Sequence, residues 1–379
     1  MRHLAARRTS IFVTTRMALL ASLALLAGGC ATKNVRQNVG NQTPARVTAT
    51  AGSHGVSAPP TQRIDLGSFQ ASNAFPGSRG LVLYGYPAGS SPHVNDSVYY
   101  YDDSSQQVLT LAKATPAPDG VSRVIEEAQP AGDWVEYVET DPAGGHWSLH
   151  VVNPTTREDR LIDSYLEEHS SATAQWFGRV ASDGSTLVWS ADLQDASSPD
   201  YVLRSYDFSS GGTSTLMSGP NTPIVAPEAM WKGALLLLEK HISPQSSDGL
   251  YLWIPGGAPA TQISSYVALN ASFNDQYVVW DVVENQTLSL YDRATGQTST
   301  NWVKKCIRPA IAQDRPYVVC LEYDYQQLVL AQTPSGEGTA FAGASAGQAG
   351  EIANNRVYWV EASSSGFNNV VDYFDLPTG

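Results

Sequence analysis

The residues Asn274–Thr298, NDQYVVWDVVENQTLSLYDRATGQT, contain the pattern that decides the fold of this chain. After an Asn-Asp turn, an apolar strand covers Tyr277–Val283, a second strand covers Thr287–Asp292, and a turn with glycine follows at Ala294–Gly296. Val, Tyr, Trp and Thr favour strands, whereas Asn, Asp and Gly favour turns. The stretch therefore predicts an antiparallel pair of strands.

The apolar strand of this stretch recurs in seven copies whose starts are about 40 to 54 residues apart. The copies are Gly80–Tyr86, Trp134–Glu139, Thr186–Ala191, Ala234–Glu239, Tyr277–Asp281, Tyr317–Glu322 and Val357–Glu361. A further strand follows each copy, most units have a third strand after it, and an apolar stretch precedes most copies. Each unit therefore has four short strands, and the recurrent copy is the second of them.

A repeat of this length with four strands is typical of a β-propeller. We predict an all-β fold, a seven-bladed β-propeller of four-stranded antiparallel blades, with six or eight blades as the alternative counts. A β-sandwich lacks a repeat of this length, and a parallel β-helix repeats at about half of it. Both therefore fit the sequence less well.

The two ends of the repeat region are expected to complete one blade together. The last unit ends at Gly379 after its third strand, and Thr61–Phe69 is a strand-like segment outside the seven units. As the outermost strand of the last blade, this segment would close the ring, which otherwise leaves unpaired strand edges. We expect the propeller domain to cover residues 62–379.

The N-terminal residues 1–29 predict a lipoprotein signal peptide. Basic residues precede the apolar run Met17–Ala27, and small residues precede Cys30. The run is shorter than the roughly 20 residues that a helix needs to cross a bilayer. The sequence LLAGGC resembles a bacterial lipobox, and that resemblance implies that the thiol of Cys30 is lipidated. An ordinary secretory signal followed by a chance cysteine is the alternative.

Residues 30–61 are expected to form a lipidated, disordered tether. Ala31–Thr61 is rich in Thr, Asn, Gln, Ala, Ser and Pro and has almost no large apolar side chain, so it cannot bury enough surface to offset the entropy of ordering. A flexible segment of this length reaches about 30 Å. The expected location is the bacterial cell envelope, with the domain lipid-anchored in the periplasm or at the cell surface.

The repeat resembles that of the TolB-like (WD40-like) propellers. The residues that carry the resemblance are Ser182-Asp183-Gly184 before the strand Val188-Trp189-Ser190, and Leu288–Gly296, which reads LSLYDRATG. The resemblance covers most of the chain and implies a periplasmic or cell-surface domain that works by contact. The fold alone does not imply an activity.

Several long polar connections are expected on one face of the propeller, where second strands lead to third strands and fourth strands lead to the next blade. They are Pro87–Asp96, Thr140–His146, Asp192–Asp200, His241–Gly249, Ala112–Ser122 and Ser164–Thr173. Binding residues occur preferentially on such loops. We predict that this face binds a ligand or partner, and unselected variation in loop length is the alternative.

Six acids follow the second strand of their units on the same face. They are Glu139, Asp192, Glu239, Asp281, Glu322 and Glu361. A ring of carboxylates can bind a cation or a basic segment of a partner, whereas the alternative is that these acids only solvate strand ends. The net charge of −13 repels nucleic acid, so we expect an envelope protein or polymer as the partner and no nucleic acid.

We predict no catalytic residue, metal or cofactor from the sequence. The seven histidines lack metal-ligand spacing, and no G-x-S-x-G, Walker or Rossmann pattern is present. A non-enzymatic binding module or interaction scaffold is the first hypothesis. The alternatives are an enzyme that acts on envelope or extracellular glycans, which needs two carboxylates about 5–10 Å apart, and a carbohydrate-binding module with exposed aromatic residues.

Two further cysteines, Cys306 and Cys320, are predicted to form a disulfide. If Cys306–Ala312 and Pro316–Glu322 form adjacent strands, the two cysteines lie opposite each other. An exported protein favours the oxidised pair, and two separate buried thiols are the alternative. The nine tryptophans lie on or near the repeat strands, which favours packing between blades over binding of sugars.

Overall fold

A computed structural model shows seven antiparallel sheets of four strands each, arranged as the blades of a propeller. It describes residues 61–90, 95–116, 122–141, 147–165, 177–195, 198–218, 224–240, 249–265, 270–322, 327–343, 350–361, 363 and 367–378. The predicted signal peptide, Cys30 and the rest of the tether up to residue 60 lie outside the described residues. The predicted all-β, seven-bladed propeller is confirmed.

The strands are numbered along the chain, and each blade counts its strands from the channel outward. Blade 1 has β2 (Phe69–Pro76), β3 (Gly80–Pro87), β4 (Ser97–Asp102) and β5 (Gln107–Lys113). Blade 2 has β6 (Val124–Ala131), β7 (Trp134–Thr140), β8 (Trp147–Val152) and β9 (Asp159–Tyr165). Blade 3 has β10 (Phe177–Ser182), β11 (Thr186–Asp195), β12 (Ser198–Asp207) and β13 (Gly212–Ser218).

The remaining blades follow the same plan. Blade 4 has β14 (Ile224–Trp231), β15 (Ala234–Lys240), β16 (Gly249–Trp253) and β17 (Thr261–Ser264). Blade 5 has β18 (Ala271–Phe273), β19 (Tyr277–Val282), β20 (Thr287–Asp292) and β21 (Gln297–Lys304), with a 3-10 turn at Val283–Asn285. Blade 6 has β22 (Cys306–Ile311), β23 (Tyr317–Glu322), β24 (Gln327–Gln332) and β25 (Gly338–Gly343). Blade 7 has β26 (Glu351–Ala353), β27 (Arg356–Val360), β28 (Val370–Asp375) and β1 (Gln62–Asp65).

The ring is closed by pairing between the two ends of the repeat region. Strand β1 pairs antiparallel with β28, so Arg63 lies opposite Asp372 and its guanidinium contacts that carboxylate at 2.9 Å. The closing strand is shorter than the predicted Thr61–Phe69. It ends at Asp65 because the carboxylate of Asp65 accepts the N–H of Gly67 at 2.8 Å and Gly67 turns the chain with a positive φ. Residue 69 then begins the innermost strand of blade 1.

Five described connections between third and fourth strands share one turn geometry. The N–H of the fifth residue donates to the C=O of the first in the pairs Gln106 and Asp102, Arg157 and Asn153, Gly211 and Asp207, Gly296 and Asp292, and Gly336 and Gln332. The fifth residue has a positive φ in each turn, a conformation that glycine adopts without steric cost. At Asp292 the carboxylate also accepts the N–H groups of Ala294 and Thr295 at 2.9 and 3.1 Å. These contacts explain the D-x-x-T-G pattern of the repeat.

The first strands of the blades line the central channel, and five of them contain a β-bulge. In each case the first strand has one residue more than the second strand across the interruption of the pairing. The interruptions lie at Ser72, Glu126, Gly178-Arg179, Glu228 and Arg308-Pro309. A bulge bends its strand and re-aims a side chain, and four of the five bulges here contain a charged residue.

The core lies between neighbouring blades. Trp189 of blade 3, for example, is fully buried against Val138 and Leu149 of blade 2. Trp280 and Trp359 are buried in the same way in other inter-blade clusters. The predicted packing role is confirmed for these tryptophans, whose large apolar area stabilises the contact between sheets. No helix among the described residues is long and apolar enough to cross a membrane.

Cys306 and Cys320 are joined by a disulfide in blade 6, with their Cα atoms 5.7 Å apart. The expected register is wrong in one respect, because Cys306 lies opposite Glu322 and not opposite Cys320. The pairing of Ile311 with Val318 sets this register, and the bulge at residues 308–309 reduces the offset by one residue. Cys306 therefore lies two residues from the position opposite Cys320, and the disulfide runs diagonally between the strands.

Candidate functional site

The two faces of the propeller differ in their connections. We call one face the turn face; it carries the connections from first to second strands and from third to fourth strands. The loop face carries the connections from second to third strands and from each blade to the next. The longest connections belong to the loop face: Pro87 to Ser97, Lys113 to Val124, Tyr165 to Phe177 and Val360 to Val370. Parts of these connections lie outside the described residues.

One predicted loop is a pair of strands instead. The segment Asp192–Asp200 was expected to be a long polar loop, but β11 and β12 extend through it and pair Asp192 with Tyr201 and Asp195 with Ser198. Backbone hydrogen bonds hold such an extension together whatever the polarity of its side chains. Polar composition therefore does not identify a loop at this position.

Glu139 lies at the end of β7, and its side chain is 1% exposed. Its carboxylate accepts the N–H of Thr115 at 3.2 Å and contacts the guanidinium of Arg123 at 3.5 Å. Both partners belong to the connection that enters blade 2 from blade 1. The acid therefore fastens the base of a long connection on the loop face to the sheet.

Asp281 occupies the equivalent position in blade 5 and is fully buried. Its two carboxylate oxygens accept the backbone N–H and the side-chain amide of Asn270 at 3.1 and 2.6 Å. The N–H of Arg308 in blade 6 donates to the same carboxylate at 3.3 Å. Asp281 thus fixes the chain that enters its own blade and connects to the next blade.

The other four predicted acids occupy different environments. Glu361 is partly exposed and contacts Arg63 of the closing strand at 3.0 Å. Glu239 is buried at the end of β15, and Glu322 is partly buried opposite Cys306. Asp192 lies within β11. The structure therefore distributes the six acids over six blades, and the contacts of Glu139, Asp281 and Glu361 are made to different parts of the chain.

A second group of acids, which the sequence analysis did not single out, lies on the inner strands. Glu127 follows the bulge of β6, and Glu136 on β7 lies opposite Gln129. The amide of Gln129 donates to Glu127 at 2.9 Å. Because residues 127 and 129 lie on one face of β6, Glu136 lies on that face as well. It is the face that packs on blade 3, since Val138 opposite Glu127 belongs to the core between blades 2 and 3.

An ion pair between blades 3 and 4 adjoins these acids. The guanidinium of Arg179 binds the carboxylate of Glu228, and both residues lie at bulges. Arg179 also lowers the pKa of Glu127, whereas Glu228 raises it. Charged groups from blades 2, 3 and 4 therefore lie close enough on the inner side of the ring to influence one another's pKa.

The pKa values of this group are raised. Burial raises the pKa of Glu127 and of Glu228 to about 7, since burial disfavours the charged form of a carboxylate. Burial and the nearby Glu127 also raise the pKa of Glu136 well above its usual range. Such shifts in a cluster mark candidate functional sites.

A single acid with a raised pKa, Glu351, lies between blades 6 and 7. Burial raises the pKa of Glu351 to about 8, and the positive charge of Arg308 opposes that rise. The sequence signal for both inner groups is a charged residue inside an apolar first strand, as in VIEEAQPA or IVAPEAMW. The sequence alone does not show which of these charged residues forms the bulge, because that depends on the register of the strand.

The described residues contain no group of three or more His, Cys, Asp or Glu side chains arranged to hold a metal ion. His150 has local partners instead. Its ring stacks on Tyr137 with centroids 4.8 Å apart, and its Nδ1 lies 3.1 Å from the carboxylate of Asp159. These contacts assign His150 to the packing of blade 2.

A shallow cavity of about 180 Å³ lies on the turn face between blades 1 and 2, lined in part by Arg79, Trp134 and Asn153. The ring of Trp134 is covered by Phe208, which stacks at 6.1 Å, and by the guanidinium of Arg160 at 4.4 Å. A sugar-binding platform needs an open aromatic face, and these two contacts use the ring of Trp134 for packing.

Comparison with known proteins shows similarity of fold. No protein-family profile matches the chain, and no curated protein matches it in sequence. The oligogalacturonate lyase of Vibrio parahaemolyticus is 12% identical over 82% of this chain and 91% of its own, with a TM-score of 0.54. An oligogalacturonate lyase in complex with manganese is 11% identical over 74% of this chain and 83% of its own, with a TM-score of 0.49. TolB of Acinetobacter baumannii is 13% identical over 79% of this chain and 77% of its own, with a TM-score of 0.42. At 12% identity the likeness to the Vibrio enzyme establishes similarity of fold alone and assigns no activity to this chain.

Proposed function

We propose that the protein is a lipid-anchored binding module of the bacterial cell envelope, and that its loop face docks a protein partner. The observation that carries the proposal is the contrast between the two faces. On the turn face five blades share one turn geometry. The connections of the loop face range from the single residue between Lys304 and Cys306 to the eleven between Tyr165 and Phe177. Regular turns serve the scaffold, and long loops on a rigid scaffold serve recognition.

Buried carboxylates support this assignment by fixing the bases of the loops. Glu139 holds Thr115, and Asp281 holds Asn270, where the chain enters blades 2 and 5. A loop whose ends are fixed loses less entropy when it binds a partner. Glu361 has the exposure to contact a partner directly, with 40% of its side chain accessible. An acidic surface of this kind suits a basic segment of an envelope protein.

Photocrosslinking in cells tests the docking face. A crosslinking amino acid at Ser90 or Pro116, both exposed on the loop face, is compared with one at Ser104 or Thr155, both exposed on the turn face. We expect discrete adducts from the first pair alone. Equal adducts from both pairs, or adducts from the turn face alone, would refute docking through the loop face.

The lipid anchor is tested separately. Replacement of Cys30 by Ser should abolish labelling with an alkyne fatty acid and release the protein from membranes. The matched control replaces Cys306 and Cys320 together by Ser, which leaves the residue in the lipobox-like sequence unchanged and should leave labelling unchanged. Labelling that persists in Cys30→Ser would exclude this anchor.

A further inference from the structure

A cavity of about 330 Å³ lies between the outer strands of blades 2 and 3, and we call it the rim cavity. Asp163 of β9 lines it on the side of blade 2. Arg204 of β12 and Thr213, Ser214 and Thr215 of β13 line it on the side of blade 3. Its volume is within the range of about 300–1,000 Å³ that is usual for sites of small ligands.

Strand pairing brings the polar residues of blade 3 to the face that packs on blade 2. Arg204 lies opposite Trp189 of β11 on one side and opposite Thr215 of β13 on the other, and side chains that lie directly opposite each other share a face of the sheet. Trp189 is buried in the core between blades 2 and 3, so this face is turned to blade 2. Thr213 lies two residues from Thr215 and therefore points to the same side.

Asp163 fixes the guanidinium of Arg204 from the neighbouring blade. The Oδ2 of Asp163 accepts the indole N–H of Trp189 at 2.9 Å and an Nη1–H of Arg204 at 2.6 Å. A guanidinium has five N–H donors, and this contact uses Nη1. The side chain of Arg204 is 33% exposed, so a donor group of fixed orientation remains accessible to a ligand.

Blade 5 provides a comparison within the molecule. Its outer strand β21 has the same Thr-Ser-Thr sequence, at residues 298–300, that β13 has at residues 213–215, and both sets are exposed. Arg204 of blade 3 corresponds to Ser289 of blade 5, since each lies two residues before the tyrosine that pairs with the first threonine. The hydroxyls of β13 therefore differ from those of β21 in having a fixed guanidinium beside them.

The groups that line the rim cavity favour a neutral ligand with several hydroxyls. The charges of Asp163 and Arg204 balance, so an ionic ligand has to compete with this pair. A hydroxyl group both donates and accepts hydrogen bonds, which matches a guanidinium and threonine hydroxyls together. Thr213 and Thr215 are about 7 Å apart along the strand, so a ligand that contacts both carries hydroxyls at separate positions. We infer that the rim cavity binds a neutral polyol of the size of one monosaccharide unit.

This inference goes beyond the proposed docking through the loop face and does not depend on it. The rim cavity lies between the outer strands of two blades, whereas the crosslinking positions Ser90 and Pro116 lie on connections of the loop face. Loss of one activity would therefore leave the other measurable.

Saturation-transfer NMR on the full-length protein, in a detergent without a sugar headgroup, tests the inference. Glucose, galactose and myo-inositol are the neutral probes, each at up to about 50 mM, which covers weak millimolar complexes. Glucuronate and glucosamine, which carry a carboxylate and an ammonium group, are the charged comparisons. We expect at least one neutral probe to bind saturably and more tightly than either charged sugar.

The contrary outcomes are distinct. Tighter binding of glucuronate would indicate an anion site at Arg204, and tighter binding of glucosamine would indicate a cation site at Asp163. Either result would overturn the inference of a neutral ligand. Absence of saturable binding by all three neutral probes would refute it as well.

Two exposed threonines locate the site. The double variant Thr213→Val and Thr215→Val removes two hydroxyls and keeps the β-branched shape that favours a strand, so it should weaken binding of the best neutral probe by about fivefold or more. The matched control, Thr298→Val with Thr300→Val on β21, should leave the affinity unchanged. Equal effects of the two double variants, or no effect of the first, would refute the assignment to the rim cavity.

Arg204→Lys tests the role of the fixed guanidinium. Lysine keeps the positive charge beside Asp163 but lacks the planar fork of donors, so we expect the affinity for the neutral probe to fall by about tenfold. Circular dichroism checks that each variant remains folded. An unchanged affinity in Arg204→Lys would contradict recognition through the guanidinium.

Discussion

Two strand-end acids of the loop face, Glu139 and Asp281, are as deeply buried as Glu136 and Glu228 of the inner strands, but the two pairs differ in their hydrogen-bond donors. Asp281 accepts three hydrogen bonds from Asn270 and Arg308, and Glu139 contacts Thr115 and Arg123. Glu136 and Glu228 each have a buried oxygen without a donor. Burial therefore does not distinguish a structural carboxylate from a candidate site, and the count of donors does.

The largest expected effect is at the strand ends. Replacement of Asp281 by Ala leaves two donors of Asn270 and one of Arg308 without their acceptor. Since each unsatisfied buried donor costs about 1–3 kcal/mol, we expect the free energy of unfolding to fall by about 4 kcal/mol. Urea denaturation at pH 7 measures it. A loss below about 1 kcal/mol would show that water replaces the carboxylate and would remove the distinction between the two groups.

The next effect is a dependence on pH that comes from the inner group. The folded-state pKa of Glu228 is about 7, above its ordinary value of 4.5, so its contribution to stability is fully present below pH 4.5 and is lost as the pH rises through 7. A shift of this size corresponds to about 3 kcal/mol.

Urea denaturation between pH 4.5 and 8 measures this contribution. In Glu228→Gln the decline of the unfolding free energy with pH should be smaller than in the natural protein, because the amide does not ionise. Glu361→Gln is the control, as its carboxylate is partly exposed and bound by Arg63. Identical profiles of the natural protein and Glu228→Gln would contradict the assignment of the pH dependence to Glu228.

A smaller effect of opposite sign is expected at Glu136. The amide in Glu136→Gln removes a buried carboxylate whose pKa is raised by burial and by Glu127. At a pH above this raised pKa, urea denaturation should show the variant to be more stable by about 1 kcal/mol, since it avoids burial of an ionised group without a partner. A destabilised Glu136→Gln would indicate a donor to this side chain and would place Glu136 with the strand-end acids.

The smallest effect is expected at an exposed turn. Asp292→Ala removes the acceptor of the Ala294 and Thr295 N–H groups, which water can replace. The loss of stability should be about 0.5–1 kcal/mol, as measured by the urea midpoint. A loss as large as that of Asp281→Ala would show that hydrogen bonding at the turn face is as important as at the strand ends.

The repeat made the architecture predictable because each blade uses the same local signals. Val, Tyr and Trp mark the second strand, and the Asp292 turn ends the third. The incomplete last unit and the segment after Thr61 predicted the closing strand, although its end at Asp65 depends on a side-chain contact with Gly67.

The acids of the inner strands were not predictable in the same way. Glu228 raises the pKa of Glu127 across blade 3 although the two residues are far apart in the sequence, and their burial depends on the packing of three blades. The bulges that place Glu126 and Glu228 on the inner strands are a property of register, which composition does not encode. The same reason explains why Cys306 lies opposite Glu322.

Closure by β1 and β28 ties the completion of folding to the synthesis of the whole repeat region. A ribosome releases Gln62–Asp65 early, but the partner strand Val370–Asp375 emerges last. Until then blade 7 lacks its core and blade 1 lacks its neighbour, so the nascent chain cannot adopt the closed ring. Contacts of such long sequence separation slow folding. The chain therefore remains open, and accessible to chaperones and proteases, until β28 has been made and can pair with β1.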